Sequence, residues 1–351
     1  MEFSVKKIAV FFKKYGTWAL LAINFAIMAY IISNDPDFSE GFRTLETLSL
    51  GFVVLCFVVF SLTYLGEGAQ LYFIIKMLGG SLSLYKSVRA VIIERYYNAI
   101  TPTNIGGQPA LIVYLMANGL SGTLSASAMS IRFIMYQITI CFFLALMFIF
   151  MPLLNLSVSP LIFTALIIGA IFSLAMPLIL LLCALWPKVT YRSIGWLCRM
   201  GKKLRLLKDS DLTYAKIVDM LNLYSQSMRM INLKYTFIVV LFAVVQFFAA
   251  MSVPFFVCFA CAVNINYIQS VAYTTVLYTA VSYMPTPGAT GIAEGVFYSL
   301  FSGIIPGTFI MVALLLWRVS SYYLTVVLGF IESGASAIES YLKRREKRIK
   351  V

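Results

Sequence analysis

Long apolar runs separated by short polar segments dominate the chain and predict membrane-spanning helices. A helix needs about 20 predominantly apolar residues to cross the hydrocarbon core of a bilayer. Runs that approach or exceed this length, with almost no charge, occupy residues 16–34, 45–72, 121–152, 158–186, 234–262 and 306–333. The pattern therefore predicts an all-α polytopic membrane protein with six full spans.

Two further apolar segments, 86–119 and 268–303, are broken in the middle by Pro and Gly. Six uninterrupted spans return the chain to the side on which it starts. Each broken segment must therefore enter and leave the membrane on the same side. We interpret both segments as re-entrant helical hairpins.

The composition agrees with a membrane protein and excludes several kinds of chemistry. The chain is 61% hydrophobic and 12% charged, whereas soluble domains carry about 25% charged residues. It contains no His, which excludes His-based metal sites, Ser–His or Cys–His catalysis and imidazole proton relays. Cys258 and Cys261 have CxxC spacing without a second ligand pair, so we interpret them as packing residues. We expect a protein that is not an enzyme, with no catalytic residue, metal or cofactor.

The basic residues predict how the spans are oriented. The chain has 27 Lys and Arg against 14 Asp and Glu, a net charge of +13. The basic residues concentrate at both termini, in the region 76–95 and in the loop 187–234, whereas residues 34–43 contain three acids and one Arg. Cytoplasmic loops of membrane proteins are enriched in Lys and Arg. Both termini and the 187–234 loop are therefore predicted to be cytoplasmic.

The 187–234 loop carries two amphipathic helical stripes surrounded by basic residues. Basic amphipathic helices can lie on anionic lipid. Alternatively, the two stripes pack against each other as a cytosolic helical hairpin. The sequence favours neither alternative.

The two Pro/Gly breaks resemble each other and indicate an internal repeat. Both contain Pro-Thr followed by glycines within a few residues, and the span after each break carries Arg-x3-Tyr-x2-Thr. Pro102 precedes Arg132 by 30 residues, and Pro285 precedes Arg318 by 33. The residues that we assign to the breaks are Pro102, Gly106, Gly107, Pro285, Pro287, Gly288 and Gly291.

The two halves are predicted to run in opposite directions through the membrane. Residues 45–72 run from outside to inside and residues 234–262 from inside to outside, which makes the repeat inverted. Inverted repeats with discontinuous helices are an architecture of transporters. The chain is predicted to begin with a basic cytoplasmic N-terminus (1–15), followed by a first span with its outer loop (16–44) and the first repeat (45–152). A linking span with the basic cytoplasmic loop (153–233) leads to the second repeat (234–333) and a basic cytoplasmic tail (334–351).

Irregular backbone inside a bilayer is tolerable only where it is buried in protein or lines a polar cavity. The helix that follows each break directs the positive end of its dipole at that cavity, which favours phosphate or carboxylate. The alternative interpretation is that the breaks are packing kinks without a ligand.

Arg132 and Arg318 are predicted to lie near the middle of the membrane. An Arg at that depth costs at least about 2.5–3.5 kcal/mol, so each must face a partner or water. One interpretation is two buried Arg–Glu pairs that serve assembly, with Glu67, Glu94 and Glu294 as the available acids. The other is that the arginines bind a headgroup phosphate while acids orient them or engage an ammonium group. The substrate-binding residues that we predict are Arg132, Arg318, Glu94, Glu294, Tyr136, Tyr322, Asn104 and Gln108.

At these residues the sequence resembles the lysylphosphatidylglycerol synthase transmembrane-region family, the flippase domain of the multiple peptide resistance factors. The resemblance rests on residues 101–110, on residues 285–295 and on Trp317-Arg318 with the tyrosines that follow. It implies a domain that moves aminoacylated or other anionic-lipid derivatives between leaflets, often as a dimer. Full-length resistance factors continue into a cytosolic synthase domain that uses aminoacyl-tRNA. This chain ends soon after its last span, so lysyl transfer is not expected, and a lipid-modifying synthase is expected to be a separate partner.

The predicted function is transport of an anionic or aminoacylated phospholipid, or a related lipid, through a midplane cavity. No P-loop is present, so energy must come from a gradient, a partner or the lipid's own concentration difference. The alternatives are a membrane enzyme acting on a lipid phosphate and a non-transporting lipid-binding scaffold. The expected location is a bacterial cell membrane. The expected partners are the phospholipid substrate, the anionic lipid surface and a second copy of the chain, and nucleic acid is not expected.

Overall fold

The computed structural model describes residue 26 and residues 44–154, 156–203 and 210–349. These residues form helices, short turns and loops, with no strand in the described ranges. The predicted N-terminus (1–15), first span (16–34) and outer loop (34–43) fall on residues outside this description, apart from residue 26.

Thirteen helices are present in the described ranges. They are α1 (Leu50–Met77), α2 (Leu84–Ile100), α3 (Gly107–Ala117), α4 (Gly122–Phe150), α5 (Pro160–Leu185), α6 (Pro187–Lys203), α7 (Ser210–Arg229), α8 (Leu233–Met251), α9 (Val253–Ala260), α10 (Tyr267–Val281), α11 (Ile292–Phe301), α12 (Gly307–Arg318) and α13 (Leu324–Ile349). Short 3-10 turns occupy Thr44–Thr47, Pro102–Asn104 and Pro287–Ala289, and a π-helical segment, Val319–Tyr323, joins α12 to α13.

Five helical stretches in the described ranges are long and apolar enough to cross a membrane. They are α1, α4, α5, the stretch Leu233–Ala260 formed by α8 and α9, and the stretch Gly307–Ser336 that runs from α12 into α13. Each corresponds to one of the spans that the sequence predicts. Large apolar side chains are exposed along α5, including Leu161 at 81% and Ile171 at 61%, as expected where a helix faces lipid. The chain is a multi-pass membrane protein.

Two of these stretches are interrupted where the sequence predicts continuous helix. At Ser252, α8 gives way to α9, because Pro254 in the first turn of α9 has no N–H to continue the ladder. The second interruption is the π-helical segment that begins directly after Arg318. Single-turn π-bulges occur frequently at functional sites.

Both broken segments form helix–turn–helix pairs, as the sequence predicts. In the first, α2 packs against α3, and in the second, α10 packs against α11. Each pair is joined through one of the 3-10 turns that contain the Pro/Gly breaks. The re-entrant placement of these pairs in a membrane and the inverted direction of the two halves stay predictions.

Helix α1 lies at the centre of the bundle, where it packs against α2, α4, α8 and α9. Two glycines of α1 face neighbouring helices, and Gly68 allows a close approach that a side chain would block. A Cβ atom at Gly68 would lie 2.4 Å from Cγ2 of Val88 on α2, and one at Gly66 would lie 3.5 Å from Cβ of Gln246 on α8. Small residues allow helices in membrane proteins to pack backbone against side chain. The residue between these glycines, Glu67, is thereby placed against both neighbouring helices.

The basic loop folds as a helical hairpin in which α6 packs against α7, and α7 in turn packs against α4 and α5. Ser225 of α7 donates a hydrogen bond to the carbonyl of Ala184 at 2.8 Å. The packed hairpin is therefore the alternative that the structure shows. Val189, Arg192 and Trp196 leave one face of α6 exposed, and the binding of this face to anionic lipid stays a prediction.

Candidate functional site

The two Pro/Gly breaks contact each other, and most of their residues are half-buried. The amide nitrogen of Asn104, in the first break, donates to the carbonyl of Ser282, just before the second, at 3.2 Å. Tyr322 of the π-helical segment donates to the carbonyl of Ala99 at 3.3 Å, next to the first break. Segments about 180 residues apart in the sequence therefore form one site.

The breaks also share an unusual backbone conformation. Thr103 has φ 57° and ψ 16°, and Gly288 has φ 59° and ψ 17°. The residues that follow, Asn104 and Ala289, have φ values of 55° and 53°. Left-handed conformations are uncommon outside Gly, so their occurrence in the same order at both breaks supports an internal repeat.

This match corrects the alignment that the sequence spacing gave. Pro287, not Pro285, occupies the position equivalent to Pro102 at the start of the 3-10 turn. The following helix begins five residues later in both halves. Pro287 precedes Arg318 by 31 residues, which agrees with the 30 residues between Pro102 and Arg132 better than the spacing from Pro285 does.

Gly288 is required for the geometry of the second break. A Cβ atom there would lie 2.2 Å from ring carbon Cε2 of Tyr322, and the left-handed conformation disfavours any Cβ. We expect Gly288→Ala to lower the free energy of unfolding by at least about 1–2 kcal/mol. The loss is to be measured as a lower thermal midpoint in detergent.

Gly295→Ala is the matched control for this substitution. Gly295 lies within α11, and a Cβ there would meet open space. Ala in a helix interior is more favourable than Gly by roughly 0.5–1 kcal/mol, so this variant should unfold no earlier than the parent. Equal midpoints for the two variants would contradict the requirement for Gly at position 288.

Side chains accept some of the N–H groups at the helix N-termini that follow the breaks, and the binding of a ligand anion there stays a prediction. Gly106 donates its N–H to Oγ1 of Thr101 at 3.0 Å, and Gly107 donates to Oδ1 of Asn98 at 2.9 Å. At α11, the N–H of Gly291 donates to Oε2 of Glu294 at 2.6 Å. A carboxylate at that position also complements the helix dipole.

Four charged side chains, of which three are buried and Arg95 is half-buried, form a group that we name the four-charge cluster: Glu67 on α1, Glu94 and Arg95 on α2, and Arg132 on α4. Arg95 donates to both oxygens of Glu67, at 2.9 Å from Nε and 2.6 Å from Nη2. Arg132 donates to Glu67 at 3.3 Å and also donates to Glu94. Gln246 on α8 donates to Glu67 as well. The cluster holds two positive and two negative charges, so it is neutral as a unit.

Arg318 and Glu294 form a separate buried pair. Nε of Arg318 lies 2.7 Å from Oε1 of Glu294 in an ion pair that is not aligned for a hydrogen bond. Nη1 donates to the carbonyl of Gly288 at 3.2 Å, whereas Nη2 has no hydrogen-bond partner among the described residues. The guanidinium carbon lies 4.8 Å from the ring centre of Trp317 and 5.5 Å from that of Tyr322. One donor of this buried arginine is therefore left for another acceptor.

A cavity of about 230 Å³ lies where the two breaks meet, and we name it the break cavity. Its wall comes from both breaks, the π-helical segment and six helices, α1, α2 and α10 to α13. The arginines that line it are Arg95 and Arg318, on α2 and α12, and Asn98 adds an amide. A groove of about 340 Å³ between α4 and α5 is lined by apolar side chains and Cys141, which suits a hydrocarbon chain and not a headgroup.

The predicted site residues divide between the break cavity and its surroundings. Asn104, Arg318 and Tyr322 line the cavity. Arg132 and Glu94 belong to the four-charge cluster, Glu294 caps α11 behind Arg318, and Tyr136 lies near the cluster. Gln108 is half-buried on α3 and is not among the lining residues. The structure pairs Arg132 with Glu67 and Glu94, and Arg318 with Glu294, so all three acids that the sequence left available are used.

Sequence reasoning missed Arg95 and Asn98. Arg95 was counted among the basic residues of a cytoplasmic border, although it follows Glu94 inside the first broken segment. Its position between Glu94 and the break was the signal that could have found it. Asn98 lies one helical turn further towards the break, where its side chain caps α3 and lines the cavity.

The fold and the site define an α-helical, multi-pass membrane protein with an arginine-lined cavity between two broken helical segments. The chain belongs to the family described as the lysylphosphatidylglycerol synthase TM region, whose model matches residues 17–329. The resemblance stated from the sequence is thereby confirmed. The family is the flippase part of the multiple peptide resistance factors and not their catalytic synthase domain, which fits the prediction of a protein that is not an enzyme. A search of curated proteins found no match.

Proposed function

We propose that the protein moves a phospholipid between the leaflets of the cell membrane, with the headgroup passing through the break cavity. The observation that carries this proposal is a cavity that is lined by two arginines and formed by two matched helix breaks. Broken helices at a repeat interface commonly form substrate sites in transporters. Membership of a family of lipid flippase domains supports the same function.

The matched breaks support alternating access. The first half runs from α1 through α2 and α3 to α4, and the second from α8 and α9 through α10 and α11 to α12 and α13. If the halves are inverted, movement of one against the other opens the cavity to either side in turn. The two breaks belong to different halves and contact each other, so a movement of one half against the other would change this contact.

The chemistry of the break cavity fits a phosphate. A guanidinium binds phosphate through paired, charge-assisted hydrogen bonds. Arg318 is 4% exposed, and its free Nη2 is a donor that a buried acceptor would satisfy. An unsatisfied buried donor costs about 1–3 kcal/mol, and a phosphate oxygen at this nitrogen would remove that cost through a charge-assisted hydrogen bond.

Reconstitution in liposomes tests the proposal against both alternatives. Phospholipids with a fluorescent acyl chain are added, and dithionite bleaching of the outer leaflet reports how much lipid has changed sides. We expect faster exchange in protein-containing vesicles than in protein-free vesicles, with the lipids chemically unchanged. A new lipid product on chromatography would favour an enzyme, and binding without exchange would favour a scaffold.

The proposed orientation predicts which positions are accessible from outside the cell. A cysteine in place of Asn264, between α9 and α10, should react with a membrane-impermeant maleimide in intact cells. A cysteine in place of Lys203, at the end of α6, should react only after permeabilisation. The parent chain, which has six free cysteines, gives the background. Reaction at position 203 in intact cells would overturn the orientation and the inverted repeat derived from it.

A further inference from the structure

We infer that one exposed face of α6 docks into the cytoplasmic leaflet of the membrane, and that this docking requires anionic lipid. We name the face, which carries Val189, Trp196 and Met200, the docking face. The inference does not depend on the proposed function, because it concerns the surface of the α6–α7 hairpin and not the break cavity.

The base of the α6–α7 hairpin lies against the end of a membrane span. Helix α6 begins two residues after α5 ends. From α7, Tyr224 donates to the carbonyl of Leu180 at 3.4 Å, and Ser225 donates to the carbonyl of Ala184 at 2.8 Å. Both carbonyls belong to the last two turns of α5, so the start of α6 and the end of α7 are held at the surface of the membrane.

The docking face is apolar and points away from α7. Val189, Trp196 and Met200 are 65%, 56% and 40% exposed. Their spacings of seven and four residues place them on one side of a helix. On the opposite side of α6, Tyr191 donates to the side chain of Asn222 on α7. Helix α6 therefore has an apolar surface that the hairpin itself leaves uncovered.

A row of basic residues runs beside the docking face. Arg192, Arg199 and Lys203 are exposed, and each follows a residue of the docking face by three positions. Positions three apart are neighbours on a helix surface, so the cations form a row parallel to the apolar residues. Helices that lie in the membrane interface combine Trp on an apolar face with Lys and Arg at its polar border. The row is placed to meet headgroup phosphates while the docking face reaches the acyl chains.

The two surfaces of the hairpin differ, and this difference indicates which one faces lipid. The exposed side chains described on α7 include Asp211, Asp219 and Gln226, and none of them is large and apolar. An anionic leaflet attracts the cations of α6 and repels the acids of α7. The surface of α6 is therefore the one that fits an anionic membrane.

The position of the docking face favours lipid over a protein as its occupant. Leu185 and Trp186, which are 64% and 57% exposed, lie between the lipid-facing surface of α5 and the start of α6. Trp is enriched where a span meets the headgroups. The docking face thus continues an apolar surface that lipid already covers.

A probe on each side of α6 tests the docking. Met200→Cys places a thiol on the docking face, and Lys202→Cys places one at an exposed position about 200° around the helix. Each is labelled with nitrobenzoxadiazole in proteoliposomes of phosphatidylcholine with or without phosphatidylglycerol, and the labelled parent, with six free cysteines, gives the background. Lipids with a spin-labelled acyl chain, present in both leaflets, quench only probes that reach the hydrocarbon. We expect strong quenching at position 200 in anionic vesicles and none at position 202.

Three outcomes of this experiment contradict the inference. Equal quenching at the two positions, or none at position 200, would overturn docking. Protection of position 200 from aqueous iodide without quenching by the spin-labelled lipid would assign the face to a protein, including a second copy of the chain, and would overturn it too. Equal quenching at position 200 with and without phosphatidylglycerol would overturn the requirement for anionic lipid.

Neutralisation of one cation in the row tests the electrostatic part. Arg192→Gln, in the chain with the probe at position 200, should lower the ratio of docked to undocked helix about fivefold, as the loss of one cation at an anionic surface requires. The ratio is read from the two lifetimes of the probe. Lys202→Gln, with the same change in net charge on the opposite side of α6, is the control and should have little effect, because charges across a helix diameter of about 10 Å are screened. An unchanged ratio in Arg192→Gln, or an equal fall in Lys202→Gln, would overturn the role of the row.

Discussion

Arg318→Met is expected to prevent stable folding, and Glu294→Gln in the same chain is expected to restore the fold without restoring lipid movement. In the parent, Glu294 is 2% exposed and lies 2.7 Å from Arg318. Removal of one partner from a buried ion pair costs about 3–5 kcal/mol, because the other charge is left uncompensated. The second substitution removes that charge, and the Gln oxygen still accepts the N–H of Gly291.

Size-exclusion profiles and thermal midpoints in detergent report the fold, and lipid exchange in vesicles reports function. Arg318→Lys is the informative partner variant. The Lys ammonium keeps the positive charge near Glu294, but it lacks the planar guanidinium group that binds phosphate through two hydrogen bonds, and it lacks the free Nη2. We expect a folded protein with reduced exchange. Full lipid exchange by the Arg318→Met, Glu294→Gln protein would end the role of Arg318 in headgroup binding.

Arg132→Met should be destabilising by a similar amount, about 3–5 kcal/mol, and its rescue should depend on which acid is removed. Loss of Arg132 leaves Glu94 without the arginine that it contacts, whereas Glu67 keeps both bonds from Arg95. Adding Glu94→Gln therefore leaves an intact Glu67–Arg95 pair. Adding Glu67→Gln gives the same net charge but leaves both Glu94 and Arg95 without their partner.

The two double variants thus separate charge balance from geometry. We expect the thermal midpoint to recover with Glu94→Gln and to stay low with Glu67→Gln. Equal recovery in both would show that only the net charge of the four-charge cluster matters. Because Arg132 does not line the break cavity, the rescued Arg132→Met, Glu94→Gln protein should also retain lipid exchange, in contrast to the rescued Arg318 variant.

The intramembrane arginines have different surroundings although the sequence presents them as equivalents. Both lie in the same Arg-x3-Tyr-x2-Thr pattern. Arg132 is engaged by two carboxylates of the four-charge cluster and has Nε without a hydrogen-bond partner among the described residues. Arg318 has one carboxylate, one carbonyl and an unpartnered Nη2, and it lines the cavity. In the first half, the cation at the cavity is Arg95 from the broken segment. A repeated motif predicts a repeated backbone, but it does not fix which side chain reaches the ligand.

The sequence by itself determined the class of the protein, five of its spans and both helix–turn–helix segments, and it limited the partners of the two buried arginines to three acids. The spans and the breaks can be predicted because apolar run length, Pro and Gly are local signals. The partners of a buried arginine can be limited because the membrane segments contain very few acids, here including Glu94 and Glu294. Only the tertiary structure decided the interruption at Ser252, the equivalence of Pro287 with Pro102, and the position of Arg95 at the cavity. These features depend on how closely helices approach and how they are rotated against each other. That information is absent from any single segment, because it arises from contacts between residues far apart in the chain.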